Sequence, residues 1–159
     1  MSILELENVS VKYNTAPVVE NVMLNIYKDD FIGIIGPNGG GKTSLVKAIM
    51  GLVPYTGKIQ FSKELAEPGS IGYLPQQNNF DKSFPISVHE VILTGLQPGK
   101  ANIRRKLNIE KRNTAQALSN TAGINHLLDK PIGEISGGEM QRTLLFPPLI
   151  SDPSLLILH

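Results

Sequence analysis

The sequence predicts an α/β fold: a core of parallel strands, entered through a small antiparallel sheet and interrupted by a helical insertion. Three observations predict it. A glycine-rich loop, Gly36-Pro-Asn-Gly-Gly-Gly-Lys-Thr43, lies between an apolar run, Phe31-Ile-Gly-Ile-Ile35, and a stretch with Leu45, Val46, Ala48 and Ile49 at helical spacing. Before it, two segments alternate apolar and polar residues. After residue 75 the pattern turns helical, and the chain ends in the apolar run Leu155–Leu158.

The elements follow in order. Over residues 2–13, Ile3, Leu4, Leu6, Val9, Val11 and Tyr13 alternate with polar neighbours and predict a half-buried strand. Asn14–Pro17 reads as a turn, and Val18–Tyr27, with Val19, Val22, Leu24 and Ile26, as a second strand. Asp29-Asp30 turns the chain into a strand at 31–35, which feeds the loop. The helix after the loop should end near Gly51, a suitable C-terminal cap. Pro54–Gly57 reads as a turn, Lys58–Phe61 as a strand, 62–70 as a polar loop, and Ile71–Leu74 as a strand stopped by Pro75.

In the helical part, Ser87 caps a helix with Val88, Val91, Ile92 and Leu96 on one face, and Glu90 completes a capping box. Pro98-Gly99 breaks it. Residues 103–122 predict a mostly exposed helix, and Ile124, Leu127 and Leu128 a short apolar segment. Phe146-Pro147-Pro148 should kink or stop the helix that begins after Ser136, because an interior proline costs about 3 kcal/mol. Leu155–Leu158 predicts a buried parallel strand. The organisation is therefore 1–75 for the core that carries the glycine-rich loop and its antiparallel part, 76–147 for the helical subdomain, and 148–159 for a return to the core.

Bulk properties narrow the classes. The 159 residues suffice for one domain with a real core. A net charge of +1 favours no polyanionic partner. There is no cysteine, so disulfides, thiolate metal sites and thiol nucleophiles are excluded. The N-terminus lacks the basic start and apolar block of a signal peptide, and no apolar run approaches the ~20 residues that span a bilayer. Membrane association is expected through a partner. The basic stretch Lys100–Arg112 holds no aromatic residue and reads as a solvated helix face rather than a nucleic-acid surface.

The loop matches the phosphate-binding pattern G-x-x-x-x-G-K-[ST] in the strand–loop–helix setting that pattern requires. Gly36, Gly39, Gly40 and Gly41, with Pro37 and Asn38 between, let backbone N–H groups converge on a triphosphate. The following helix adds unpaired N–H groups and its positive dipole end. Lys42 reaches the β- and γ-phosphates, and the Thr43 hydroxyl is a ligand for Mg²⁺. Ser44 either joins them or caps the helix.

A second anion site is legible in Ile135-Ser-Gly-Gly-Glu139. Ser136 and Glu139 form a capping box, and Gly137 and Gly138 cost about 1 kcal/mol each against alanine in a helix interior. Close approach of a ligand to bare backbone would explain that cost. Two phosphate sites far apart in sequence imply one deep pocket or two chains sharing ligands.

Together these residues resemble the ATP-binding subunit of an ABC transporter. Ile135–Glu139 is similar to the signature LSGGQ, with Ile for Leu and Glu for Gln, and Tyr73-Leu-Pro-Gln76 resembles the Q-loop. Tyr13 stands where the family has an aromatic that stacks on adenine, although a strand aromatic is an equally good account of it. The resemblance spans the whole chain, and Phe84–Gly95 looks most like the zinc/manganese-type metal importers.

It implies a P-loop NTPase core, with ATP and Mg²⁺ as cofactors. It implies a head-to-tail dimer in which Gly36–Thr43 of one copy and Ser136, Gly137, Gly138 and Glu139 of the other enclose each ATP. Gln76 would contact Mg²⁺ and the attacking water, making Lys42 and Gln76 the catalytic candidates and Thr43 and Gln76 the metal ligands. Residues near 77–99 would dock a transmembrane permease, holding the subunit on the inner, cytoplasmic face of the cell membrane.

The chain departs from the family in three places. His159 stands where an Mg²⁺-binding Asp is expected, and Mg²⁺ prefers oxygen ligands. The catalytic Glu and switch His that should follow have no counterpart. The prolines at 147 and 148 interrupt the signature helix. These departures suggest a truncated or altered C-terminal end, and a chain that binds nucleotide better than it hydrolyses it. A non-catalytic fragment is thus a competing reading. A chromosome-maintenance ATPase fits poorly, because 44–135 carries no sustained heptads. A P-loop kinase would not need Ser136–Glu139. His89 and His126 read as surface residues, with no metal assigned.

Overall fold

The structure is a computed structural model and describes residues 2–75, 84–95 and 116–159. The chain divides into two compact units, Met1–Glu67 and Pro68–His159.

The first unit is built on β1 (Ser2–Tyr13), flanked antiparallel by β2 (Ala16–Tyr27) and β3 (Thr56–Phe61) in the order β2-β1-β3. Leu4, Leu6, Val9 and Val11 are its buried residues. Leu6 and Val9 are three apart, so strict alternation would put the two pairs on opposite faces. Asn8, at φ 51°, resolves the conflict. It inserts one extra residue: Leu6 pairs with Leu24 but Val9 pairs with Val22. The same skip occurs against β3, between Glu7–Lys58 and Ser10–Thr56. This bulge turns both apolar pairs to one face. Gly57, at φ 90°, accommodates it, since a Cβ there would lie 2.3 Å from the Asn8 carbonyl oxygen.

The turns fall at Asn14 and Asp29, both at positive φ, as the sequence predicts. In the second, the Tyr27 amide donates to the Asp30 carboxylate at 2.8 Å. The strand predicted at 31–35 does not form. Phe31 is fully exposed and Ile35 is 96% exposed, and among the described residues no strand pairs with this run. A strand exists only where a partner takes its hydrogen bonds, and hydropathy alone does not report that partner.

Helix α1 (Lys42–Ile49) follows the loop, burying Leu45, Val46, Ala48 and Ile49. It ends as predicted at Gly51, φ 67°. There the amides of Gly51 and Leu52 donate to Ala48 and Lys47, a Schellman closure.

In the second unit β4 (Ile71–Leu74) pairs in parallel with β5 (Leu155–Leu158), Ile71 opposite Leu155 and Leu74 opposite Leu158. The His159 amide continues the ladder to the Leu74 carbonyl at 3.0 Å. The parallel pairing agrees with expectation; full burial does not. Leu155, Leu156 and Ile157 are half-buried and Leu158 is 57% exposed, because among the described residues only β4 flanks the strand.

The helical part comprises α2 (Val88–Thr94), α3 at 116–121, two 3₁₀ turns, η1 (Asn125–Leu127) and η2 (Ile132–Glu134), then α4 (Gly137–Leu144) and α5 (Phe146–Leu149). Its core joins Val88, Val91 and Ile92 of α2 with Ile124, Leu127, Ile132, Ile135, Phe146 and Ile150. The predicted break after Ser136 occurs at Leu145: α4 ends there and α5 restarts with Pro147 and Pro148 in its first turn, where missing N–H groups cost nothing. The expectations for Leu96, Pro98-Gly99, the basic stretch 100–112 and most of the helix at 103–122 lie outside the described residues.

Candidate nucleotide-binding site

The glycine loop leaves residues 36–40 exposed at the N-terminus of α1. The helix begins from Gly41 in the left-handed conformation, φ 82°, with no side-chain cap and no acidic residue in its first turn. Ser44 therefore does not cap the helix. It is buried at the third helical position, its hydroxyl 3.5 Å from the Tyr13 hydroxyl. With neither a side-chain cap nor an acid, the positive end of α1 is left for an external anion.

Packing fixes the loop from below. A Cβ at Gly41 would stand 2.2 Å from the Val18 carbonyl oxygen, so the loop rests directly on β2. Gly40 donates to the Pro37 carbonyl at 3.1 Å, and a Cβ on Gly40 would stand 3.0 Å from that same oxygen. Lys42 Nζ donates to the Gly36 and Pro37 carbonyls at 2.8 and 2.7 Å, folding the cation over the loop mouth. Thr43 is half-buried beside it. Tyr13, 44% exposed at the end of β1, is held near the loop through Ser44. The structure thus gathers Tyr13 and residues 36–44 in one place.

A cavity of about 860 Å³, lined by Ser2, Ile3, Glu5, Lys28, Gln60 and Phe61 with neighbours, includes no loop residue. An anion site of backbone donors needs no deep cavity. The chemistry of the donors is the better guide.

The second constellation lies in the other unit. Ser136 caps α4: its hydroxyl accepts from the Glu139 amide at 3.3 Å, and its amide donates to Glu139 Oε2 at 2.8 Å. Donation by Ser136, from hydroxyl and then amide, holds the Glu139 carboxyl below the usual carboxylate range, with smaller help from Lys130 and His126. Ser136, Gly137 and Gly138 are exposed, and a Cβ on either glycine would meet nothing within 4 Å. Among the described residues no contact requires those glycines. His126 lies at the surface as the sequence predicts, but its pairing with Glu139 was not foreseen: its Nε2 lies 3.8 Å from Glu139 Oε1. The two residues belong to different elements, so no local pattern announces the pair. Gln76 lies outside the described residues. Among the described residues no cluster of three His, Cys, Asp or Glu side chains is placed to hold a metal ion.

The donor set suits a triphosphate: glycine amides, an uncapped helix end and one lysine. For Mg²⁺ the Thr43 hydroxyl is a ligand of the right chemistry.

The ABC transporter family model matches residues 19–159. The chain belongs to the ABC transporter family.

Its relatives sharpen the picture. A "Probable metal transport system ATP-binding protein" of Thermotoga maritima is 38% identical over 159 residues, covering 99% of this chain and 61% of the relative. The "Zinc import ATP-binding protein ZnuC" of Saccharophagus degradans is 35% identical over 157 residues, covering 98% of this chain and 56% of the relative. The chain thus spans about six-tenths of the length of such relatives. Among solved structures, a metal-chelate type ABC transporter in an inward-facing conformation superposes with a TM-score of 0.81 at 25% identity, covering 99% of this chain and 59% of that one. A nucleotide-free ATP-binding cassette gives 0.79 at 26%, with 99% and 68% covered. These ABC transporter cassettes carry the same α/β architecture as the chain.

Proposed function

We propose that this ABC-family chain is the nucleotide-binding part of an ATP-binding subunit that couples ATP binding and hydrolysis to import of a divalent metal ion. The observation that carries the reading is the exposed glycine loop on the uncapped end of α1, with Lys42 folded over its mouth. The metal and zinc transport names of the relatives support the cargo.

The residues take these roles. Amides of Gly36–Gly41 and of the first turn of α1 bind the phosphates. Lys42 leaves the two loop carbonyls and moves onto the β- and γ-phosphates. Tyr13 lies against the base. Ser136, Gly137 and Gly138 of a second copy close the site. Their bare, unobstructed backbone supports that assignment. Thr43 and Gln76 would hold Mg²⁺, which supplies charge neutralisation at the phosphates when bound. A permease docks against residues near 77–99, holding the subunit on the cytoplasmic face of the membrane. Among the described residues no helix is long and apolar enough to cross a bilayer itself.

An imidazole at 159, where the family resemblance expects an Asp, would weaken Mg²⁺ binding and so hydrolysis more than nucleotide binding. That departure supports the second reading, a non-catalytic ABC domain. Fluorescent ATP analogue titration and phosphate release test both. Saturable binding lost at least about tenfold in Lys42→Ala supports the site, since charge-assisted phosphate contacts are worth about 1.5–3 kcal/mol. Binding unaffected by Lys42→Ala sinks it. Phosphate release at the rate of a full-length relative sinks the non-catalytic reading. Co-purification with a membrane permease tests the transport role.

A further inference from the structure

The inference rests on the reading of α4 as nucleotide-facing and concerns what surrounds its first turn. Glu139 brings a carboxylate to the end of a helix that should receive a triphosphate. One of its oxygens is engaged: Oε2 accepts from the Ser136 amide at 2.8 Å. The other, Oε1, faces His126 Nε2 at 3.8 Å. That histidine is not held by chance. Its 3₁₀ turn is pinned by fully buried Ile124 and Leu127, and the Ile124 amide donates to the Ser119 carbonyl at 3.0 Å. The charges acting on Glu139 are Lys130, in the turn after η1, and His126. Arg142 follows along α4 itself, and Asp129 and Glu134 are the acids of the flanking turn and η2.

We propose that His126 is a positioning residue for the anion-facing end of α4: its imidazolium holds Glu139 Oε1 while Oε2 stays on the Ser136 amide, so an incoming triphosphate meets Ser136, Gly137 and Gly138 without an uncompensated carboxylate beside them. The geometry gives a direction. Only the protonated imidazole is a cation that can pair with the carboxylate, and acid favours that form. Nucleotide-driven association of two copies therefore strengthens from pH 8 to pH 6, and the gain passes through one exposed side chain.

Two measurements on the whole chain test this. The first needs no nucleotide: amide hydrogen exchange at Glu139, Met140 and Gln141 at pH 6. An exposed ion pair of this kind is worth a factor of about two to five in local opening, so His126→Gln should speed exchange by that factor and His126→Lys should restore it. The second is association driven by ATPγS at pH 6 and pH 8. The parent should associate more strongly at pH 6, His126→Gln weakly at both, and His126→Lys strongly at both. Exchange unchanged in His126→Gln overturns the proposal, as does an identical pH profile in the parent and His126→Gln. If exchange responds as expected while neither the parent nor His126→Lys associates with ATPγS at either pH, the nucleotide-facing reading of α4 has failed and takes the ligand half of the proposal with it. The pairing of His126 with Glu139 then stands alone.

Discussion

At Gly57 the room for a side chain is already taken by the Asn8 carbonyl, whose bulge lets Leu6 and Val9 share a face. Gly57→Ala should therefore lose about 2 kcal/mol or more, from positive φ and the clash together, measured by urea denaturation. A change under about 0.5 kcal/mol would mean that the bulge relaxes freely. Thr143 is the opposite case. It is completely buried on α4 and its hydroxyl has no hydrogen-bond partner among the described residues. An unsatisfied buried hydroxyl costs about 1–3 kcal/mol, so Thr143→Val, nearly isosteric, should raise the melting temperature. A fall would reveal a polar partner such as an internal water. Neither site is visible in the sequence. Gly57 reads as an ordinary turn glycine, and Thr143 as one polar residue in a helix, because both depend on atoms far away in the chain.

Among the elements, the helix boundaries were the most legible. Ser87 with Glu90, and Ser136 with Glu139, are local patterns whose hydrogen bonds close within four residues, and both capping boxes form. Pro147 ends α4 for an equally local reason. The boxes carry a pH dependence. Donation by Ser87, amide first and then hydroxyl, lowers the Glu90 carboxyl from 4.5, as donation by Ser136 lowers Glu139. A depressed carboxyl stabilises the fold above its unfolded value and loses that contribution as pH falls through the lower folded value. The caps should thus be intact at pH 6 and weaken below about 4.5. Melting curves from pH 6 to pH 3 should slope less in a Glu90→Gln, Glu139→Gln double variant than in the parent. Equal slopes would remove the caps from the acid response. Strands were less legible than helices. β1 and β2 show their alternation, but the phase change at Asn8 and the absence of pairing at 31–35 turn on neighbours that periodicity does not encode.

On the scale of the chain, two units of different construction carry the two constellations: an antiparallel sheet with the glycine loop, and a parallel pair with the capped signature helix. Both constellations were legible because each is a short, contiguous motif. Tyr13 near Ser44, and His126 near Glu139, were not, since each pair meets only after folding.

The run Phe31–Ile35 has a consequence beyond recognition. It presents uncharged, apolar side chains to water outside any described strand, features that favour intermolecular sheet growth. The chain on its own should be colloidally fragile: light scattering should rise with protein concentration and temperature. A charge at each end of the run, Phe31→Lys with Ile35→Glu, should delay the onset. Unchanged scattering in that double variant would place the weakness elsewhere. Handling of this protein is thus governed by five residues that precede its most informative loop.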